Sequence, residues 1–329
     1  MRGGVLGRVA AAQLLLQGGG VFSQPAAELA VSAYPDAKPG MVCLTFDDGT
    51  KDHYALAAPL LERYGYRGIF SIVPDLMGHG RYMGWGNART LLARGHEVAN
   101  HSMSHANMVR LLEAGDTNEL QRQIWDSADL IEERTGVRPW VFCFPYTALN
   151  EDLNAIVRES GQEPMLRLRF VFLHDTSPAD LDAYLDTVVE NRLYKGLLFH
   201  GVDPHGEAWE TFRDPGAFEA MLKVLKVREA DLHVGGYTEN AHYLALRDAV
   251  SLAKVEDSAT YSIYRLAFRS DVVPPPGGGW LTLELAHPDR ISGVRVRGQP
   301  VLLKQSARGT VHFKATVGST ITLLRRSEQ

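Results

Sequence analysis

The stretch "MVCLTFDDGTKDH", residues 41–53, decides how this chain is read. Met41 to Phe46 form an apolar run of the length of a buried strand, and the run stops in two adjacent carboxylates, Asp47 and Asp48, followed by Gly49. Two like charges side by side are unfavourable when buried. An Asp-Gly turn is common by itself, so the partners of this doublet must settle whether it is an ordinary turn or the edge of a reactive site.

Outward from it, short apolar runs alternate with longer amphipathic ones. "GIFSIV" (68–73), "HEVAN" (96–100), "WVFCFP" (140–145), "GLLFH" (196–200) and "LHVGGY" (232–237) read as strands. "YALAAPLLERYG" (54–65), "NARTLLARG" (87–95) and "TNELQRQIWDSADLIEERTG" (117–136) read as helices that stop at glycine, and further helices start near Leu149, Pro178, Pro215 and Thr238. Such alternation means parallel strands with crossover helices. No G-x-G-x-x-G follows the first strand, which removes local support for a dinucleotide fold. The expected fold is therefore an α/β barrel over residues 35–249.

After residue 250 the texture changes. "YSIYRLAF", "GWLTLELA", "GVRVRG", "PVLLKQ", "TVHFKA" and "TITLLR" are short alternating runs punctuated by turn residues. Residues 250–329 thus read as a small antiparallel β-sandwich module, with the Pro-Gly run at 274–279 as one of its loops.

Composition narrows the function. The 329 residues are 45% hydrophobic and 22% charged, a globular balance that excludes disorder for the bulk of the chain. A formal net charge of -5 gives no basic footprint for nucleic acid or anionic membrane. Arg2 and Arg8, the apolar core Val9–Leu16 and the small residues near Ser23 make residues 1–24 a signal peptide, implying a secreted or periplasmic protein. No run approaches the ~18 apolar residues of a membrane span. Two cysteines, Cys43 and Cys143, lie in apolar runs and read as buried free thiols.

The partners of the doublet appear in "HEVANHSMSHANM". His101 and His105 are four apart just beyond a strand end, and a helical turn there brings both imidazoles to one point. Two imidazoles and one carboxylate leave an open position for water, the arrangement of a catalytic zinc; cobalt or nickel also suits such donors. The second aspartate is then free to act as a general base, and the chain must turn to aim the neighbours differently. His200 closes the strand "GLLFH" where it can protonate a leaving group, and a backbone N–H at Pro145-Tyr146, beyond another strand end, can meet an oxyanion. Pro145 and Trp209 are candidates to line a substrate cleft; His96 reads as structural and His53 as a surface residue.

In this order the elements resemble the polysaccharide deacetylases of carbohydrate esterase family 4, the NodB-homology group. "TFDDG" stands intact at Thr45–Gly49, "H-S-x-x-H" at His101–His105, and "L-x-H" at Leu198–His200. The resemblance covers about residues 40–249 and implies a distorted (β/α) barrel, usually seven-stranded. It implies a divalent metal, commonly zinc, on Asp48, His101 and His105, with Asp47 as base, His200 as acid and the Tyr146 amide at the oxyanion. The implied reaction releases acetate from an N- or O-acetylated glycan. Other readings of the same centre are an amidohydrolase acting on a small cyclic amide, and a pseudoenzyme that binds glycans without turnover.

Two departures matter. The family's "D-x-x-D-W" is not recognisable; Asp175 and Asp180 stand in that region, where an N-cap before Pro178 explains them equally well. Many members also carry an arginine that pairs with the base where this chain has Cys143. Without that positive charge Asp47 is expected to be less acidic than an arginine-paired base. Cys143→Arg should then move the acidic limb of the pH–rate profile to lower pH, and a limb left where it was would contradict this.

Overall fold

A computed structural model describes residues 28–165, 169–172, 175–203, 205, 212–272 and 279–326. The N-terminal 1–24 segment, Trp209 and Pro274–Gly278 of the Pro-Gly run lie outside the described residues. Backbone packing divides the chain into two units, Gly40–Asn240 and a second made of Met1–Pro39 with Ala241–Gln329. No helix among the described residues is long and apolar enough to cross a membrane.

The strands are numbered along the chain. β1 (Leu29–Val31) belongs to the second unit; β2 (Gly40–Phe46), β3 (Gly68–Ile72), β4 (Glu97–Asn100), β5 (Val141–Phe142), β6 (Glu163–Pro164), β7 (Arg169–Val171), β8 (Tyr194–Phe199) and β9 (Leu232–Val234) belong to the first. These eight form one sheet in the order β6-β5-β4-β3-β2-β8-β7, with β9 alongside the start of β2, and every pairing is parallel. The curled parallel sheet with its helices is a distorted (β/α) barrel, as expected. Its edge strands β6 and β7 are not paired to one another among the described residues.

β2 is central and buried along its whole length, which explains its unbroken apolar sequence. Its last residue, Phe46, stacks on Phe70 of β3 at 4.8 Å and on Phe199 of β8 at 5.2 Å between ring centroids. Phe172 and Phe218 extend this packing around Phe199. Rings of this size dominate core energetics and fix their strands in register. The carboxyl ends of β2 and β8, which Asp47, Asp48 and His200 follow, thus rest on an aromatic layer. Gly68 is required in that layer, because a Cβ there would lie 2.8 Å from the Phe46 ring.

The second unit is a sandwich of two antiparallel sheets. One runs β1-β12-β16-β15 and the other β10-β11-β17-β13-β14, where β10 is Val250–Asp257, β11 Tyr261–Phe268, β12 Trp280–Leu285, β13 Ile291–Val296, β14 Gln299–Pro300, β15 Lys304–Gln305, β16 Val311–Thr316 and β17 Thr320–Arg325. Leu266, Leu281, Leu283, Phe313, Ile321 and Leu323 form its buried core. The segment just before β1 is bound by charge: the Glu28 carboxylate accepts from Lys254, Ser262, Tyr264 and Arg325.

Candidate active site

The doublet is resolved by the backbone. Asp47 ends the strand with its N–H donated to the Phe199 carbonyl at 3.0 Å. Asp48 then takes φ +77° and Gly49 φ +70°, so the change of direction begins at Asp48 itself rather than at the glycine alone. An aspartate tolerates this left-handed region better than bulkier residues do. The two carboxylates consequently face different partners.

Asp47 is 3% exposed. Its Oδ1 accepts the Ser71 hydroxyl at 2.9 Å, and the Cys143 thiol donates to the same carboxylate at 3.4 and 3.5 Å. Cys143 thus occupies the place beside Asp47, with a weak donor where an arginine would bring a charge. Ser71 was missed in the sequence, although it is the one polar side chain inside the buried strand "GIFSI". Both cysteines are buried thiols outside any disulfide, as expected.

Asp48 faces the histidines. Its Oδ1 lies 3.5 Å from His101 Nε2 and 3.3 Å from His105 Nε2. The imidazoles meet through a loop and not through the expected helical turn: Ser102 and His105 both have φ +63°, and the helix that follows begins only at Met108. Buried polar side chains brace this loop. Asn100 bonds the Ile124 carbonyl, Gln162 and Ser127, while Gln123 accepts from the Ser104 N–H and donates to the Ser104 hydroxyl. His101 Nδ1 donates to the Cys143 carbonyl at 2.7 Å, so Nε2, which faces Asp48, is the nitrogen a cation would take. Five of the nine non-glycine residues with positive φ among those described (Asp48, Ser102, His105, Tyr146 and Thr147) surround this point. Such concentrated backbone strain is characteristic of functional sites.

The ligating atoms of Asp48, His101 and His105 lie within 4.8 Å of one another. One carboxylate and two imidazoles, one of them with its second nitrogen already bonded, form a donor set that fits a divalent cation of the zinc, cobalt or nickel type. A second group, Asp47, His101 and Cys143, satisfies the same distance and has a thiol in place of the second imidazole.

Tyr146 is 67% exposed, its ring edge-on to His105 at 4.7 Å, and Pro145 is buried beside it. The backbone N–H of Tyr146 donates to no group among the described residues. His200 follows β8, which pairs with β2 so that Phe199 lies opposite Phe46. His53 requires correction: it is not a surface residue but fully buried, with Nε2 bonded to the His200 carbonyl oxygen. His96 is structural as expected, accepting from the Gly68 N–H and bonded to Glu62. Asp180 accepts from the Ser177 N–H and hydroxyl, so it is a helix capping residue.

With this geometry in view, the chain can be compared with known proteins. Residues 35–165 match the family model described as polysaccharide deacetylase. The peptidoglycan-N-acetylmuramic acid deacetylase PdaC of Bacillus subtilis is 38% identical over 65 residues, 20% of this chain and 13% of that protein. A chitin deacetylase of Arthroderma benhamiae is 26% identical over 121 residues, 36% of this chain and 31% of that one. This chain spans less than half the length of the curated relatives it matches. Among solved structures, a family 4 acetyl xylan esterase from Clostridium thermocellum in complex with a cobalt ion aligns with TM-score 0.47 and 22% identity, over 60% of this chain and 89% of that one.

Electrostatics at the centre give a pH dependence for metal binding. Burial acts to raise the Asp48 carboxyl, but hydrogen bonds from His101 and His105 outweigh it and hold the group far below the carboxylate range. Burial likewise acts to lower His101, and its contacts with Cys143, Asp48 and Asp47 outweigh it, so the imidazole is pushed well above 6.5 in the metal-free protein. A cation must therefore displace the His101 proton, whereas Asp48 needs no deprotonation. Zinc affinity should rise with pH above about 6.5, with close to one proton released per ion in calorimetry across buffers of different ionisation enthalpy. Affinity independent of pH between about 6 and 8 would contradict the arrangement.

Proposed function

We propose that the Gly40–Asn240 unit hydrolyses N- or O-acetyl groups on a carbohydrate polymer or oligomer. The observation that carries this reading is the convergence of Asp48, His101 and His105 beside a separately held Asp47 at the ends of neighbouring strands. Asp48, His101 and His105 would hold a divalent cation, most simply zinc, which when bound supplies Lewis acidity toward the acyl carbonyl and toward water.

The chain's own groups do the rest. Asp47 takes the proton from the attacking water; Ser71 and Cys143 orient its carboxylate, and its burial keeps the basic oxygen away from bulk solvent. The unengaged Tyr146 N–H donates to the oxygen that becomes negative as the carbonyl is attacked. His200 gives a proton to the departing amine or alcohol. The tetrahedral species then collapses to acetate and the free sugar group. Pro145 and Trp209 are assigned to the cleft wall, and export from the cytoplasm accords with a polymer substrate outside it.

Acetate release from a panel of acetylated glycans, by metal-loaded wild type, Asp47→Asn and His101→Ala, tests this. Asp47→Asn should keep its metal and lose activity by about 10²–10⁴-fold, the span of a general base. His101→Ala should lose both metal and activity. Activity surviving in both variants would overturn the mechanism, and glycan binding without release by wild type would replace it with the pseudoenzyme reading.

A further inference from the structure

In the first turn of the helix that follows the doublet, Asp52 and His53 are both buried, and neither belongs to the cluster of Asp48, His101 and His105. Their contacts go instead to the segment that carries His200. His53 Nε2 bonds the His200 carbonyl oxygen; a carbonyl only accepts, so Nε2 carries the hydrogen. Its Nδ1 has no hydrogen-bond partner among the described residues, and its ring packs edge-on against Phe46 at 5.5 Å. The histidine therefore makes one directed polar contact from a fixed pocket.

Asp52 holds the next residues. Its Oδ2 accepts the backbone N–H of Val202 at 2.6 Å and of Asp203 at 3.0 Å, while Oδ1 accepts the Thr50 hydroxyl at 2.5 Å. Burial acts to raise this carboxyl, and His53 with the three donors outweighs it, keeping the group ionised and its acceptors strong. Together with the bond from the Asp47 N–H to the Phe199 carbonyl, backbone groups of Phe199, His200, Val202 and Asp203 are all tied to residues 47–53. The turn that bears the base is the anchor of the loop that bears the acid.

We infer that Asp52 and His53 are positioning residues that set His200 relative to Asp47, acting through the backbone of residues 200–203. This rests on the reading of His200 as the proton donor. A donor displaced by about 1 Å loses roughly 10²-fold in rate, so the pair governs kcat more than substrate binding.

The test uses the metal-loaded full chain and penta-N-acetylchitopentaose, with Asp52→Ala, Asp52→Asn, His53→Phe and His200→Ala, and each of Asp52→Ala and His53→Phe combined with His200→Ala. His53→Phe preserves the buried ring and removes only the donor. Asp52→Ala and His53→Phe should each lower kcat by about 10–10²-fold at nearly unchanged KM and metal content, and Asp52→Asn, which keeps an acceptor for the two amides, should recover most of it. In the His200→Ala background the same substitutions should cost almost nothing more. Equal losses with and without His200, losses confined to KM or metal content, or no loss at all would overturn the positioning role. If His200→Ala alone retains full activity, or wild type releases no acetate, the underlying reading fails instead.

Discussion

Everything in the barrel unit depends on how two neighbouring carboxylates are kept apart in purpose. Continuation of the strand beyond Phe46 would point Asp47 and Asp48 to opposite faces, and mutual repulsion would oppose burying both. The left-handed backbone at Asp48 breaks that geometry and turns its carboxylate to the two imidazoles, leaving Asp47 with Ser71 and Cys143. On the proposed reading a cation at Asp48 would offset one charge, while Ser71 and Cys143 donate to the other. The strain of a non-glycine residue at φ +77° is offset only if the surroundings hold it, which is the task of the aromatic layer beneath and the polar braces beside it.

Those braces share one design. Asn100 and Gln123 fix the loop of His101 and His105, the Cys143 carbonyl fixes the His101 ring, and Asp52 with His53 fixes the loop of His200. Each uses a buried group to hold backbone or ring near a strand end, so that the side chains gathered there need little further ordering. Cys143 serves twice, through its carbonyl to His101 and its thiol to Asp47. A substitution there touches both His101 and Asp47.

Much of this was legible in the sequence because it is local. The apolar run before the doublet, the spacing of the histidine pair and the alternation of strand and helix all follow from neighbours along the chain, and the structure places Asp48, His101 and His105 together accordingly. What was not legible is tertiary. The three residues of β1 join a strand some 250 positions away, and β6 and β7 are two and three residues long, too short for any period to register. β10 is exposed over most of its length, so its sequence does not alternate. His53 looked like part of a polar turn because nothing nearby announces that it inserts between Phe46 and the backbone of His200. The lone serine of β3 was the one local clue passed over.

On the proposed reading the cation sits on Asp48, His101 and His105 while Asp47 stays outside its coordination shell. X-ray absorption of the zinc-loaded protein tests this directly, since the competing group of Asp47, His101 and Cys143 contains a sulfur and the favoured one does not. A first shell of nitrogen and oxygen at about 2.0–2.1 Å with two imidazoles is the predicted result. A sulfur scatterer at about 2.3 Å would contradict the account, for it would put Cys143 on the metal and remove Asp47 from its place as the base.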